Sequence, residues 1–284
     1  MLYSDAEVSK IKTHIFLKKL KQVDKYWIMV SLTDILYWYQ KQKHLHSIDI
    51  ERAGTPEWLD VILPYLRKYE GGSFIEIGCS PGYVSAVICS NVRLVPYGID
   101  FSPMAYLYLE SMRRVGYLNA TLYKGDIGTF RIDKCFDVVG SVGLVEHFTD
   151  PFEILDHHYR LTKPGGIVFV IIPNFRYVQW LYHFIFNRAD LSFHYLETMK
   201  LEVFVKFSNN KGLDILFLDY CGKLRFWGVN VEGNKYIVYG RRIISRIIRE
   251  VTNRFISKIT PANSKYTSPW IVYVGFKKKM FSKQ

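Results

Sequence analysis

The chain has 284 residues, of which 49% are hydrophobic and 23% are charged, which excludes an intrinsically disordered protein and allows a sizeable core. Its four cysteines show no CxxC pair or metal-type spacing, residues 1–25 lack a signal-peptide pattern, and no stretch suits a transmembrane helix, so we predict a cytoplasmic protein with reduced thiols and no metal site. The net charge of +12 is carried by residues 176–284, which hold 19 Lys and Arg against 7 Asp and Glu.

The first 54 residues predict a helical extension or cap, with an aromatic cluster between Tyr26 and Tyr39. The core domain is expected to begin at residue 55 and to continue to residue 284. Thr55 and Pro56 predict the start of a helix, with Thr55 as the capping residue and Pro56 at the first helical position. Pro64 predicts a kink in that helix.

Strands and helices alternate from residue 73 onwards. Continuous apolar strands that alternate with helices predict a doubly wound α/β fold, with a parallel sheet covered on both faces. A helix is expected to start at Ser102 and Pro103. The predicted strands of this part are 73–77, 95–99, 120–124, 136–142 and 166–172.

The residues after 172 predict an insertion, further helices and two more strands of that sheet. Residues 173–195 are aromatic and indicate an inserted helix or lid, and 196–208 is expected to be helical. Strands are predicted at 213–220 and 270–276. Between them, 241–259 has the pattern of a basic amphipathic helix, which we expect to pack its apolar face on the sheet edge, with an anionic membrane surface as the alternative.

A glycine turn at residues 74–82 is the most informative segment. A short apolar strand leads into Glu76, Gly78 and Gly82, and a helical pattern follows. This strand, turn and helix form the usual ligand-binding unit of a doubly wound sheet. Because the turn has Ser80 where a pyrophosphate-binding loop has a glycine, and no lysine, it favours a neutral or cationic ligand over a polyphosphate.

Three carboxylates follow successive predicted strands, namely Glu76, Asp100 and Asp126. Ligands bind at the carboxyl ends of the strands in an open α/β sheet. A carboxylate after the second strand can accept both hydroxyl protons of a ribose, and one after the third can accept a hydrogen bond from an exocyclic amine such as that of adenine.

These motifs, in this order and spacing, resemble the class I S-adenosylmethionine-dependent methyltransferases, including the small-molecule O-methyltransferases of ubiquinone biosynthesis. The resemblance covers residues 55–220 and extends to the strand at 270–277. It implies a seven-stranded, mostly parallel sheet whose last strand is antiparallel, with S-adenosylmethionine as cofactor. The segments that carry it are 76–82, 98–100, 124–127, 136–139, 143–148 and 161–166.

The resemblance also implies a role for each site residue. The loop residues would wrap the methionine part of the cofactor, Glu76 would lie near its amino group, and Asp100 would bind the ribose. The residues after the third and fourth strands would frame the adenine and approach the sulfonium. The implied cofactor residues are Glu76, Gly78, Cys79, Ser80, Gly82, Asp100, Phe101, Asp126, Ile127, Ser141 and Val142.

The pair Glu146 and His147 follows the fourth strand, where similar O-methyltransferases carry a Glu-His pair. We predict that this pair is catalytic, with His147 as a base for a hydroxyl acceptor, because imidazole titrates near neutrality. The alternative is that His147 caps the next helix or packs against the lid. His157 and His158 are expected on a solvated helix face.

The favoured function is methylation, at oxygen, of a small-molecule, sugar-linked or lipid-linked acceptor. The basic last third suggests an anionic acceptor or a peripheral contact of 241–259 with the inner membrane surface. An RNA or protein methyltransferase is the alternative, although no separate RNA-binding module is recognisable. A non-enzymatic membrane-associated scaffold is the third possibility.

Overall fold

A computed structural model describes residue 33, residues 37–38, 55–227 and 235–279. The predicted N-terminal extension therefore lies outside the described residues, apart from Thr33, Tyr37 and Trp38. Within the described part of the chain, no helix has the length and apolar character required to cross a membrane.

Seven strands form one sheet with the order β3-β2-β1-β4-β5-β7-β6. The neighbouring pairs from β3 to β5 are parallel, whereas β7 is antiparallel to both β5 and β6. The predicted doubly wound sheet with an antiparallel last strand is thus confirmed. The strands are β1 (Ser73–Ile77), β2 (Val95–Asp100), β3 (Thr121–Lys124), β4 (Phe136–Val142), β5 (Thr162–Pro173), β6 (Leu213–Cys221) and β7 (Trp270–Lys277).

Helices cover both faces of the sheet and also extend from its carboxyl edge. Short 3₁₀ turns occur at Arg67–Tyr69, Val145–His147 and Leu196–Met199. The α-helices are α1 (Glu57–Leu66), α2 (Tyr83–Asn91), α3 (Leu107–Arg114), α4 (Pro151–Leu161), α5 (Tyr177–Phe186), α6 (Arg188–Leu191), α7 (Leu201–Lys211), α8 (Lys235–Val251) and α9 (Ser257–Ile259).

The alternation of side chains along β5 divides the core into two layers. Phe169 and Ile171 join the layer beneath α1, α2 and α3, while Val168 and Val170 join the layer beneath α4 and α7. Successive side chains of a strand point to opposite faces of a sheet. A continuous apolar run is therefore what a strand buried on both faces requires.

Local turn chemistry departs from three expectations. Pro56, not Thr55, occupies the N-cap position of α1, and no side chain caps that end. The helix predicted from Ser102 starts at Leu107, because the Ser102 hydroxyl accepts a hydrogen bond from the Met104 N–H and forms a turn first. The helix predicted at 196–208 is interrupted at Lys200, whose backbone is extended.

The orientation of α8 contradicts the expectation that its apolar face packs on the sheet edge. Ile244 and Ile247 are exposed, whereas Ser245 on the opposite side of the helix is buried. The helix continues into a π-helical turn, Thr252–Ile256, in which Thr252 is buried and Phe255 is exposed. The polar side of this helix therefore faces the protein.

Gly82 begins α2 in a left-handed conformation, with φ of 100°. A Cβ atom at this position would lie 2.8 Å from Cβ of Ser111 and 2.9 Å from Cα of Tyr108. The loop after β1 can approach α3 only because this residue has no side chain.

We predict that Gly82→Ala lowers the free energy of unfolding by about 2–4 kcal/mol, because strain at positive φ adds to a clash with backbone. Gly116→Ala is the matched control, since Gly116 has φ of 87° but nothing within 4 Å of the position that an alanine Cβ would take. The free energy of unfolding of this control should fall by only about 1–2 kcal/mol. Chemical denaturation measures both, and equal losses would contradict the packing constraint at Gly82.

Candidate active site at the carboxyl edge of the sheet

The sheet register brings the predicted site residues to one edge. Glu76 pairs with Gly98 on β2 and with Gly140 on β4, and Asp100 pairs with Lys124 on β3. The loops after β1, β2, β3 and β4 therefore emerge side by side, which is where open α/β sheets bind ligands.

The loop after β1 faces this edge mainly with its backbone. Gly78 has φ of 73°, and its N–H donates to the carbonyl of Ile99 at 2.9 Å. The Cys79 side chain is buried against Gly98, and burial raises the pKa of its thiol well above the usual value. Cys79 can thus contribute a backbone surface to a ligand but not a reactive thiolate.

Asp100 ties two loops together. Its carboxylate accepts hydrogen bonds from the Ser80 N–H at 2.9 Å and from the Ser102 N–H at 2.6 Å. Burial raises the pKa of Asp100, while these two N–H groups and the Lys124 ammonium oppose that rise. Each carboxylate oxygen keeps a further lone pair, so these bonds are compatible with accepting the hydroxyl protons of a ribose.

Lys124 is a site residue that the sequence analysis missed. Its ammonium group donates to the carbonyls of Phe101 and Ser102, directly beside Asp100. Burial lowers the pKa of Lys124, and the charge of Asp100 opposes this effect. The sequence feature that could have identified Lys124 is its position at the end of a predicted strand, directly before Gly125. Lys124 fixes the loop that carries Phe101.

Glu76 points into the protein towards α2. Its carboxyl group accepts hydrogen bonds from the Ser85 N–H at 2.9 Å and from the Ser85 hydroxyl at 2.5 Å. Burial raises the pKa of Glu76 to about 8, Ser85 opposes this rise, and the charge of Asp100 adds to it. The carboxyl group supports the loop from behind, and its predicted contact with an amino group stays a prediction.

The residues after β3 and β4 divide into edge and interior positions. Asp126 accepts a hydrogen bond from the Gly128 N–H at 2.8 Å, and Ile127 is buried in the layer beneath α4. Ser141 is fully buried, so its side chain lies beneath the edge, while Val142 is half-buried at the strand end. Asp126, Phe101 and Val142 therefore remain as side chains near the ligand edge.

His158 contradicts the expectation of a solvated face, because it is fully buried. Its Nδ1 atom lies 2.8 Å from the Ile154 carbonyl, and its Nε2 atom lies 2.9 Å from the Ser141 hydroxyl. Burial lowers the pKa of His158 to about 4, so the ring is neutral at physiological pH. Nδ1 donates to the carbonyl, Nε2 accepts from the hydroxyl, and the pair anchors α4 to the end of β4.

Glu146 and His147 are buried together in the 3₁₀ turn after β4. His147 Nδ1 lies 2.7 Å from the Phe193 carbonyl, so Nδ1 carries the proton and the lone pair is on Nε2. Oε1 of Glu146 is 4.0 Å from that Nε2. Burial raises the pKa of Glu146 to about 8, so its carboxyl group is largely protonated at pH 7.

Aromatic rings from both flanks of the domain meet over His147. The Trp38 ring lies 5.2 Å from the imidazole and nearly perpendicular to it, and the Tyr37 ring lies 4.4 Å from that of Phe193. Phe193 belongs to the segment after α6. The described part of the N-terminal flank and the aromatic insertion thus cover the same catalytic candidate.

His194 is a second residue that the sequence analysis missed. Its ring lies 4.7 Å from that of His147, and its Nδ1 atom lies 2.7 Å from the Asp190 carbonyl. Donor atoms of Glu146, His147 and His194 lie within 4.8 Å of one another. Two imidazoles and a carboxylate are ligands of the zinc type, although a tetrahedral zinc site needs donors about 3.3 Å apart.

We predict that Glu76→Gln flattens the dependence of stability on pH. A carboxyl group whose pKa rises from 4.5 to about 8 on folding stabilises the fold below pH 4.5, and this contribution is lost as pH rises to 8. Gln cannot ionise and keeps an oxygen that accepts from Ser85. The difference in free energy of unfolding between variant and parent should therefore shift in favour of the variant by on the order of 1–3 kcal/mol from pH 5 to pH 8.

Thermal unfolding from pH 5 to pH 8 measures this difference between variant and parent. Glu202→Gln is the matched control, because Glu202 is exposed on α7 and its replacement should leave the pH dependence unchanged. A Glu76→Gln variant with the parental slope would show that the carboxyl is not held neutral by burial.

Comparisons with known proteins agree with this geometry. A family model described as a methyltransferase domain matches residues 75–170. The chain is 26% identical over 165 residues to a tRNA U34 carboxymethyltransferase of Photobacterium profundum, covering 52% of this chain and 51% of that protein. It is 25% identical over 178 residues to a ubiquinone biosynthesis O-methyltransferase of Coxiella burnetii, covering 58% and 76%.

The chain thus spans about half the length of the first relative and three quarters of the second. The fold is also that of a Thiobacillus denitrificans S-adenosylmethionine-dependent methyltransferase solved with S-adenosyl-L-homocysteine, with a TM-score of 0.51 and 14% identity over 88% of this chain and all of that chain. The loop after β1 from Gly78 to Gly82, here called the glycine cradle, and the strand-end carboxylate Asp100 fit the same cofactor. The chain therefore carries a methyltransferase domain at residues 75–170, on the fold of the class I S-adenosylmethionine-dependent methyltransferases.

Proposed function

We propose that this protein methylates a hydroxyl oxygen of a small-molecule, sugar-linked or lipid-linked acceptor, with His147 as the general base. The observation that carries the proposal is the bond between His147 Nδ1 and the Phe193 carbonyl, which leaves the basic lone pair on Nε2. A base must present its lone pair towards the acceptor, and in this tautomer the lone pair is on the nitrogen that lies 4.0 Å from Oε1 of Glu146.

The chemistry requires alignment more than activation. S-Adenosylmethionine supplies a methyl group on a sulfonium centre that is already a good leaving group. His147 would take the hydroxyl proton as the acceptor oxygen forms its bond to the methyl carbon and the carbon–sulfur bond breaks, leaving neutral S-adenosylhomocysteine. The Glu146 carboxyl, which burial keeps largely protonated, would stabilise the imidazolium through the dipole of its oxygen 4.0 Å from Nε2.

The aromatic cover supports an acceptor of limited size. Tyr37, Trp38 and Phe193 pack around His147, and Phe175 packs against His194 at a ring distance of 4.7 Å. Aromatic and apolar surroundings with few polar groups are typical of sites that enclose small ligands and exclude water. The O-methyltransferase relative also acts in ubiquinone biosynthesis, by its name.

An RNA substrate is the second candidate. One relative is named a tRNA U34 carboxymethyltransferase, and the last third of the chain is strongly basic. A polymer would need an open basic trough, whereas aromatic rings surround His147. Binding of tRNA that weakens steeply with added salt would favour this candidate over a small acceptor.

We predict that His147→Ala lowers kcat by roughly 100-fold or more, the range expected when a general base is lost. Affinity for S-adenosylmethionine should stay within about two-fold, because His147 lies after β4 and outside the glycine cradle. Turnover assays against candidate hydroxyl acceptors, paired with calorimetry for the cofactor, measure the two effects. His157→Ala on α4 is the control and should retain both kcat and cofactor affinity. A His147→Ala variant with the parental kcat would rule out His147 as the general base.

We also predict that turnover is unchanged after treatment with a chelator, because proton transfer to His147 needs no cation. The measurement is kcat before and after dialysis against EDTA, with the metal content of both samples determined. A loss of activity that added Zn²⁺ restores would reassign Glu146, His147 and His194 as metal ligands. In that case the acceptor hydroxyl would be activated by the cation rather than by the imidazole.

A further inference from the structure

The helix α8 and the turns that follow it present an apolar face to solvent. Ile247 is 56% exposed and Phe255, about two turns further on, is 61% exposed, which is unusual for such large apolar side chains. The exposed apolar residues of this segment are Tyr239, Ile243, Ile244, Ile247, Ile248, Val251, Phe255, Ile256 and Ile259.

The opposite side of α8 is polar and attaches the helix to the protein. Ser245 and Thr252 are buried, and they lie seven residues apart on one side of the helix. The Arg241 guanidinium donates to the Ile185 carbonyl of α5, and the Asn253 side chain bonds both backbone groups of Phe226. An amphipathic helix on the surface of a globular protein normally turns its apolar side towards the core. The orientation of α8 is the reverse of this.

The neighbouring helix α5 adds to the apolar surface. Leu181 is 53% exposed and Ile185 is 44% exposed, and the Arg241 bond places the end of α5 against the start of α8. α5 belongs to the aromatic insertion, whose other side packs His183 against Phe175 with a ring distance of 4.2 Å. The exposed surface is therefore continuous with the cover of the candidate active site.

Positive charges lie beside this apolar face and also within it, where Arg254 and Lys258 project among the apolar side chains. Residues 235–259 carry seven basic side chains and one acidic side chain, Glu250. Arg242, Arg246, Arg254 and Lys258 are exposed on the same segment. A second copy of the chain would bring the same positive charges against each other, whereas a surface of anionic lipid would be attracted to them.

We propose that this face, formed by α8, the turn at Thr252–Ile256, α9 and the exposed residues of α5, docks on an anionic lipid membrane. Its isoleucines and Phe255 would enter the boundary between headgroups and acyl chains, with the arginines at the phosphate level. The inference goes beyond the proposed methyl transfer and does not depend on it, because lipid binding is measured without an acceptor.

The test is co-sedimentation of the protein with vesicles of phosphatidylcholine alone and of phosphatidylcholine with 30% phosphatidylglycerol, in about 50 mM and about 300 mM salt. We expect binding to the anionic vesicles in low salt, with weaker binding in high salt and little to the neutral vesicles. Ile247→Glu should reduce the affinity at least ten-fold. Arg246→Gln should reduce it about five-fold, the effect of one basic residue at an anionic surface.

Leu118→Glu is the matched control, because Leu118 is 78% exposed in the loop after α3 and lies on a different element. It should bind vesicles like the parent. Three outcomes would overturn the proposal: no binding to anionic vesicles, equal binding to neutral vesicles, or a concentration-dependent dimer that Ile247→Glu dissociates. The last outcome, measured by sedimentation velocity, would assign the face to a second copy of the chain.

Discussion

The carboxylate of Asp100 is the interaction on which the cofactor edge depends. It receives the Ser80 N–H from the loop after β1 and the Ser102 N–H from the loop after β2. Neither loop forms regular secondary structure at that point, so their relative position is set by this side chain together with the hydrogen bond from the Ser80 hydroxyl to the Met104 carbonyl. A charge-assisted hydrogen bond is about twice as strong as a neutral one, and two of them in a buried place give a rigid edge. Lys124 compensates part of the charge and holds the second loop from its other side.

Burial, rather than ion pairing, sets the protonation of the other ionisable groups around this edge. Glu76 and Glu146 each have a pKa raised to about 8, and His158 has a pKa lowered to about 4, all chiefly through desolvation. These groups therefore add little net charge beneath a ligand that carries a sulfonium. Oε2 of Glu146 has no hydrogen-bond partner among the described residues. A buried carboxyl oxygen without a partner is costly, which is a feature of functional sites more than of structural ones.

The sheet could be predicted from the sequence because its information is local. β1 and β4 have the predicted bounds, and apolar runs with glycine turns between them define the order of elements. The orientation of α8 could not be predicted, because an amphipathic pattern identifies two faces but not which one meets the protein. His158 was wrongly expected on a solvated face, and His194 was missed, for a related reason. Their partners, Ser141 and His147, are 17 and 47 positions away, and such contacts exist only after β4, α4 and the aromatic insertion have come together.

The antiparallel direction of β7 has a consequence for how such a protein can change. Because β6 is parallel to β5 and β7 returns between them, Pro173, Cys221 and Trp270 all lie at one end of the sheet. The connection from β6 to β7 therefore leaves and rejoins the sheet at the candidate cofactor edge, whereas the connection after β5 leaves at this edge and rejoins at the opposite end, at Leu213. The connection from β6 to β7 can therefore change in length without altering the register of β6 and β7. The fold thus separates the loops after β1 to β4, which form the candidate cofactor edge, from a connection at the same edge whose length the strand register does not constrain.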